Sequence, residues 1–307
     1  MKIFVDTAKL DEIKEACSWG IVDGVTTNPS LIKRAVDALK EKGEKVDMLT
    51  YIEQILKTAG EGHPVSLEVI SLTSDEMFKE AIFLYERFNK VAGNVVIKIP
   101  INTFVQGCSY TNFEGLKTIK KLSERDIPVN CTLIMTPEQA LLAAKAGARY
   151  ASPFAGRVDD YIRKNLGISF KKGDYFDFEL IEELRYQALE ESIEDYIDQG
   201  ERVDELYQNE EIIRGANFGK DNGISSGVDL VAQIVQIYSN YGFGTEVIAS
   251  SMRNARQVRE VAQAGAHIAT IPFSVIKEMM QHPKTEEGIK LFTRDVVPEY
   301  RKIFEEK

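Results

Sequence analysis

Short apolar runs rich in β-branched residues recur along the chain, and each is followed by an amphipathic stretch. The runs are Ile3-Phe4-Val5, Gly24 to Thr27, Pro64 to Ile70, Gly93 to Pro100, Ile127 to Leu133, Tyr150 to Phe154, Glu246 to Ser250 and His267 to Ile271. Continuous runs of this kind suit strands buried on both faces, as in a parallel sheet. Between them, helical spacing predicts helices over Leu10–Ala16, from near Leu31, and over 47–59, Met77–Val91 and 112–125. More follow from Thr136 and over 255–264, 273–281 and 285–305. Thr136-Pro137-Glu138-Gln139 combines a cap, an N1 proline and an early acid, and Ala-Gly-Ala twice stops a helix just before a strand. Pro29 disfavours α geometry at Asn28, and Ser30 is placed to cap the following helix. Strict alternation of strand and helix implies a parallel sheet, and eight such units imply an α/β fold closed as a single (β/α)8 TIM barrel. The competitor is an open doubly wound sheet, but no strand leads into a GxGxxG or GxxxxGK[ST] loop.

One segment breaks the rhythm. From about 158 to 227 the chain is acidic and helical, with clear patches at Glu179–Ile197 and 201–214, before a helix over Val228–Ser239 leads to the seventh strand. It reads as a helical insertion between strands six and seven, a lid or an interface, within a single domain spanning 1–307. Its apolar positions Leu180, Leu184, Leu189, Ile193 and Ile197 repeat at helical spacing and are expected to pack on the barrel.

Composition narrows the function classes. The net charge of −10 argues against a general nucleic-acid or anionic-membrane binder, because both need basic surface, yet it permits a local basic pocket. Cys17, Cys108 and Cys131 are widely spaced with no CxxC or Cys/His pattern, which points to a reduced compartment. No run is long enough to span a bilayer, and MKIFVDTAKL lacks a signal-peptide core, so a cytoplasmic protein is expected. His63, His267 and His282 are scattered and support no metal site.

The fourth run carries the chemical signal. Lys98 stands among Val95, Val96, Ile97 and Ile99, and an ammonium there is costly unless it is paired or loses its proton. A buried lysine that becomes neutral is a nucleophile able to form a Schiff base with a carbonyl. The alternative is a stem that snorkels to solvent or meets a carboxylate. In a barrel the C-terminal strand ends converge on one mouth, which here collects Asp6, Asn28, Glu68, Lys98, Asn130, Thr132, Ser152 and Ser251. Alternation puts Val96 with Lys98, Ser66 with Glu68, and Asn130 with Thr132 on shared faces. Each polar residue alone could be a satisfied buried group, but a series of strands ending this way is harder to explain by packing.

Thr26-Thr27-Asn28-Pro29-Ser30-Leu31, Val96-Ile97-Lys98-Ile99-Pro100, Ser152-Pro153-Phe154-Ala155-Gly156-Arg157, Ser251-Met252-Arg253 and Ala269-Thr270-Ile271-Pro272-Phe273 resemble signature segments of the transaldolases, especially the short bacterial type. The resemblance covers about 1–157 and 228–285. It implies Class I aldol chemistry with no cofactor: Lys98 as the Schiff-base residue, Asp6 moving the proton of the C4 hydroxyl, and Glu68 with Thr132 serving carbinolamine formation and dehydration. Asn28 and Asn130 would hold hydroxyls of the dihydroxyacetone unit, and Ser152 and Phe154 would line the same pocket. Arg157, Ser251 and Arg253 would hold a phosphate, since guanidinium forks suit its oxygens. Arg157 could instead pair with acids of the insertion, and Arg253 could belong to a solvated helix face with Arg256 and Arg259. The implied partners are sugar-phosphate substrates and further copies of the chain in a homo-oligomer, with no nucleic acid and no membrane. The related fructose-6-phosphate aldolases typically carry tyrosine at the position of Phe154 and glutamine at that of Glu68, so both residues favour transfer over cleavage. A longer loop over 102–110 and the insertion depart from the short members. An aldolase, a Class I enzyme for another substrate and a non-catalytic barrel are the alternatives.

Overall fold

The computed structural model describes residues 1–305 except 110, 199, 201 and 203–207. Eight parallel strands close into a barrel in sequence order: β1 (Lys2–Asp6), β2 (Gly24–Thr26), β3 (Val65–Glu68), β4 (Val95–Pro100), β5 (Val129–Ile134), β6 (Tyr150–Pro153), β7 (Glu246–Ala249) and β8 (Ile268–Ile271). β1 pairs with both β2 and β8, so no sheet edge remains. The alternation read from the sequence is the physical basis of the barrel's two surfaces. Outward-facing Val5, Val25, Val65, Ile97, Ile99, Cys131, Ala151, Val247 and Ala269 join the large core beneath the helices. Phe4, Val96, Tyr150, Ile248 and Ile268 form a separate cluster that fills the interior. Each stands two residues before a polar strand-end residue: Asp6, Lys98, Ser152, Ser250 and Thr270. A period of two therefore stacks an apolar plug directly beneath a polar layer. Gly24 makes room for that plug, because a Cβ there would lie 2.7 Å from the Phe4 ring.

Helices α1 (Leu10–Ser18), α2 (Pro29–Glu41), α3 (Met48–Ala59), α4 (Ser74–Ala92), α5 (Glu114–Ser123) and α6 (Pro137–Ala146) surround the first strands. The cap of α2 differs from the expectation: Asn28, not Ser30, accepts from the Leu31 amide, because Pro29 holds Asn28 extended and takes the N1 place itself. Between β6 and β7 lie α7 (Ala155–Asn165), α8 (Phe178–Asp198), α9 (Glu210–Asn217) and α10 (Gly227–Tyr241). α10 takes the ring position by packing on α6 and, further round, on α11 (Ala255–Gln263). α7 rests on α10, and α8 packs chiefly on α9.

The expected helical patch over 201–214 is seen only through α9, since residues 201 and 203–207 lie outside the described residues. The apolar stripe of α8 behaves differently from the expectation. Leu180, Leu184 and Ile197 are exposed, Leu189 and Ile193 are half-buried, and Ile181 and Tyr196 are the buried residues. Helical spacing marked a face correctly as periodic, but the neighbour available to α8 is a short helix, too small to cover it.

After β8 come α12 (Phe273–Met279), α13 (Pro283–Arg294) and α14 (Pro298–Lys302). The single helix expected over 285–305 is broken because Pro298 drives Val297 to extended geometry. Among the described residues, no helix is long and apolar enough to cross a membrane.

Candidate active site

The C-terminal ends of the strands open into a cavity of 710 Å³ whose lining includes Asp6, Asn28, Lys98, Asn130, Ser152, Phe154, Arg157, Ser251 and Arg253. Nine of the eleven residues expected from the sequence are therefore brought to one space. Glu68 and Thr132 do not line it. They stand beside Lys98, Glu68 as its register partner on β3 and Thr132 two pairs further along β5.

Lys98 is 5% exposed, so its stem does not snorkel to solvent. Its ammonium lies 3.3 Å from Glu68 Oε2 and donates to the Thr27 carbonyl at 3.2 Å. Of the two ways to tolerate a buried lysine, the structure displays pairing, at a residue that also lines the cavity.

Asp6 is held by Thr26, whose hydroxyl donates to Oδ1 at 2.7 Å and is itself hydrogen-bonded to Thr270. Burial pushes the Asp6 carboxyl above its ordinary range, against the opposing pull of Lys98 and the Thr26 hydrogen bond. A carboxyl so placed can exchange a proton with a hydroxyl bound in the cavity.

Asn130 is fully buried between two hydroxyls, donating to Ser66 Oγ at 3.1 Å and accepting from Ser152 Oγ at 2.7 Å. This chain crosses β3, β5 and β6 and locks the amide in one orientation. Asn28 spends its oxygen on the cap of α2, which leaves its amide N–H groups to offer to the cavity. The Thr132 hydroxyl is buried with no protein partner among the described residues. Just after it, Leu133 adopts φ +60° where the β5–β6 register shifts.

The opposite chemistry occupies the rim. Arg253, on the turn after β7, has its guanidinium 2.7 Å from Asp160 Oδ2, and its backbone N–H donates to Gln257. Its side chain is 10% exposed, which rules out the solvated helix face; Arg256 instead lies 3.5 Å over the Tyr175 ring and bonds Glu260. Arg157 stacks 4.9 Å from the Phe154 ring and, among the described residues, pairs with no acid of the α7–α9 segment. Ser251 takes φ +67°, a sparsely populated conformation for a serine. Gly156 allows the β6–α7 turn to approach it, since a Cβ there would meet the Ser251 carbonyl at 2.0 Å. The turns bearing Arg157 and Arg253 are thereby fixed against each other.

Sequence reading missed Thr26, Thr270, Arg34 and Lys172, all of which line the cavity. Thr26 and Thr270 sit within segments already singled out, two residues along their strands from interior positions, so alternation could have found them. Arg34 and Lys172 carry no such signal, because one lies on a helix and the other between helices.

The profile of the transaldolase/fructose-6-phosphate aldolase family matches residues 3–192 and 200–306. A probable transaldolase of Thermodesulfovibrio yellowstonii is 39% identical over 295 residues, covering 96% of this chain and 97% of the relative. A probable transaldolase of Alkaliphilus metalliredigens is 36% identical over 295 residues, with the same coverages. One from a Hydrogenobaculum species is 36% identical over 299 residues and 96% of each chain. With its closed eight-stranded barrel and its polar mouth, this chain belongs to the transaldolase/fructose-6-phosphate aldolase family.

Proposed function

We propose that the protein is a transaldolase that moves a dihydroxyacetone unit from a ketose phosphate, fructose 6-phosphate or sedoheptulose 7-phosphate, to an aldose phosphate through a Schiff base on Lys98. The observation that carries this reading is a lysine 5% exposed at the floor of the cavity, with Glu68 at 3.3 Å and Asp6 in the same lining. Glu68 takes a proton from the ammonium, and the neutral amine attacks the C2 carbonyl to give a carbinolamine. The proton returned from Glu68 leaves with the C2 hydroxyl as water. Thr132, whose buried hydroxyl has no protein partner among the described residues, is the group suited to hold that water. The protonated imine then draws the electron pair of the C3–C4 bond while Asp6 accepts the C4 hydroxyl proton, so an aldose phosphate departs and an enamine remains. The acceptor aldehyde enters, the enamine carbon attacks it, Asp6 returns its proton to the new hydroxyl, and water adds back to the regenerated imine to free the new ketose phosphate and Lys98.

Asn28, Asn130 and Ser152 are assigned to the hydroxyls of the three-carbon unit, and Arg157, Ser251 and Arg253 to the phosphate. Phe154 supports transfer over simple cleavage, since a ring without a hydroxyl has no proton to give the enamine. The relatives, themselves probable transaldolases, agree with transfer.

The test is borohydride reduction in the presence of fructose 6-phosphate, followed by intact mass and peptide mapping. A dihydroxyacetone-sized adduct on the Lys98 peptide that disappears when erythrose 4-phosphate is added is the expected result. An adduct on another lysine, or none with either ketose phosphate, would overturn the assignment.

A further inference from the structure

The segment 166–177, between α7 and α8, is built into the mouth of the barrel rather than hung beside it. Arg163 donates to the carbonyls of Asp174 and Tyr175 at 3.2 and 3.4 Å, and its guanidinium lies 4.0 Å from the Phe170 ring. Asn254 donates to the Gly173 carbonyl at 3.2 Å, and the Tyr175 hydroxyl donates to Glu260 at 2.8 Å beneath Arg256. Phe176 is buried in the main core. These anchors lie on both sides of Lys172 and come from α7 and the β7–α11 region, the elements that carry Arg157 and Arg253. Lys172 is exposed to solvent but lines the cavity, as does Arg34 from the second turn of α2.

Apart from Lys98 at the floor and Lys9, four cations thus face one space among the described residues: Arg34, Arg157, Lys172 and Arg253. Asp160 pairs with Arg253, while among the described residues Arg34, Arg157 and Lys172 have no carboxylate partner. Lys9 and Glu12, also in the lining, neutralise each other at 2.9 Å. Partial burial, then the charges of Arg253 and Arg34, hold the Lys172 ammonium below its ordinary range against the opposing pull of Asp160, so the cations of the cluster repel one another. In a chain of net charge −10, such a concentration of unneutralised positive charge is a local design for an anionic ligand.

We propose that Lys172, delivered by the anchored 166–177 strap, and Arg34 are specificity-determining residues that extend the anion subsite of Arg157 and Arg253 and select sugars bearing a terminal dianionic phosphate over neutral sugars. The inference rests on the transaldolase reading of the same cavity. It makes the segment between β6 and β7 part of the substrate site. A neutral ketose leaves the repulsion among the cations unrelieved, whereas a phosphate dianion removes it on binding.

The experiment compares Lys172→Met, Lys172→Arg and Arg253→Ala in the full chain, using fructose 6-phosphate and fructose as donors and inorganic phosphate as a competitive inhibitor. Lys172→Met is expected to raise KM for fructose 6-phosphate and the inhibition constant of phosphate about five- to tenfold. Its effect on kcat and on kcat/KM for fructose should be much smaller, and Lys172→Arg should recover most of the phosphate affinity. Arg34→Met should act in the same direction, less strongly, because Arg34 is exposed on α2. If Lys172→Met changes both donors alike while Arg253→Ala discriminates between them, the strap has no part in binding and the inference fails. If Arg253→Ala also fails to discriminate, it is the phosphate assignment of the cavity that falls.

Discussion

The floor and the rim of the cavity solve opposite problems with the same few residue types. At the floor, Lys98 pairs with Glu68 across β3 and β4, and Asn130 joins Ser66 to Ser152 across β3, β5 and β6, all but Glu68 buried. At the rim, Arg34, Arg157 and Lys172 are exposed and lack ion-pair partners among the described residues. Polar groups in a buried layer are costly unless satisfied locally, so Lys98 and Asn130 are each held in one geometry. Charges at a wet rim are stabilised by solvent and can wait unpaired for a ligand. Arg253 stands between the two regimes, nearly buried and anchored by Asp160, yet facing the same space. The contrast predicts that floor substitutions act on turnover and rim substitutions on affinity.

The sharpest test of that division is Lys98→Met. Loss of the nucleophile should lower kcat by at least about a thousandfold. The fold should survive, because methionine fills the stem's volume, and an unchanged circular dichroism spectrum would show it. Turnover within tenfold of wild type would break the comparison.

Asp6→Asn should lower kcat by about a hundred- to a thousandfold, the usual worth of a positioned acid–base group, with little change in KM. It should also stabilise the protein at neutral pH. Burial raises the folded-state pKa of Asp6 above its unfolded value, so wild-type stability is lost as pH rises through that interval. The gain in Tm should therefore be present at pH 7 and shrink on acidification toward pH 4. A variant less stable than wild type at pH 7 would mean that the contacts with Thr26 and Lys98 outweigh burial.

Phe154→Tyr probes the border between floor and rim. A phenol there should increase release of free dihydroxyacetone about several-fold relative to transfer, a modest shift in barrier on the scale of tenfold per 1.4 kcal/mol. A coupled assay for free dihydroxyacetone, run with and without acceptor, measures it. No change would show that residue 154 does not decide between the two outcomes.

The smallest expected effect concerns a carboxylate supporting the rim from behind. Asp159 is buried, accepts from the Gly227 N–H and from Gln257 at 2.6 Å each, and Gln257 in turn accepts from the Arg253 N–H. Burial, chiefly, pushes its carboxyl up to about 7. Because this pKa is raised on folding, stability should decline between about pH 4 and pH 7, by up to about 1.4 kcal/mol per pH unit. Asp159→Asn should flatten that slope in thermal melts, whatever its effect on absolute Tm. Equal slopes for the two proteins would remove Asp159 as the titrating group.

The chain shows unevenly, in its sequence, what it will become. The eight strands were legible because barrel strands are buried on both faces, so their apolar runs are continuous and their polar ends conspicuous. The lysine within Val95–Pro100 stood out for the same reason, and alternation placed it on one face with Val96, while the strand register set Glu68 beside it. α8 was legible as a helix but not in its packing, since periodicity states which face is apolar and not whether a neighbour covers it. The expected helix over 285–305 failed at Pro298, whose constraint on Val297 was available and was outweighed by the periodic pattern.

By itself, then, the sequence determined the barrel, its strand order and most of the polar floor of the cavity, because those properties follow from local spacing and burial. Only the tertiary structure decided that Glu68 and Thr132 sit beside Lys98 instead of lining the cavity, that Asp160 takes Arg253, and that Arg34 and Lys172 join the rim. Those arrangements depend on contacts between residues far apart in the chain. No local periodicity encodes the approach of a helix turn and an interhelical strap to the same mouth; it is set by how α2, α7 and the β7–α11 turn pack around a closed sheet.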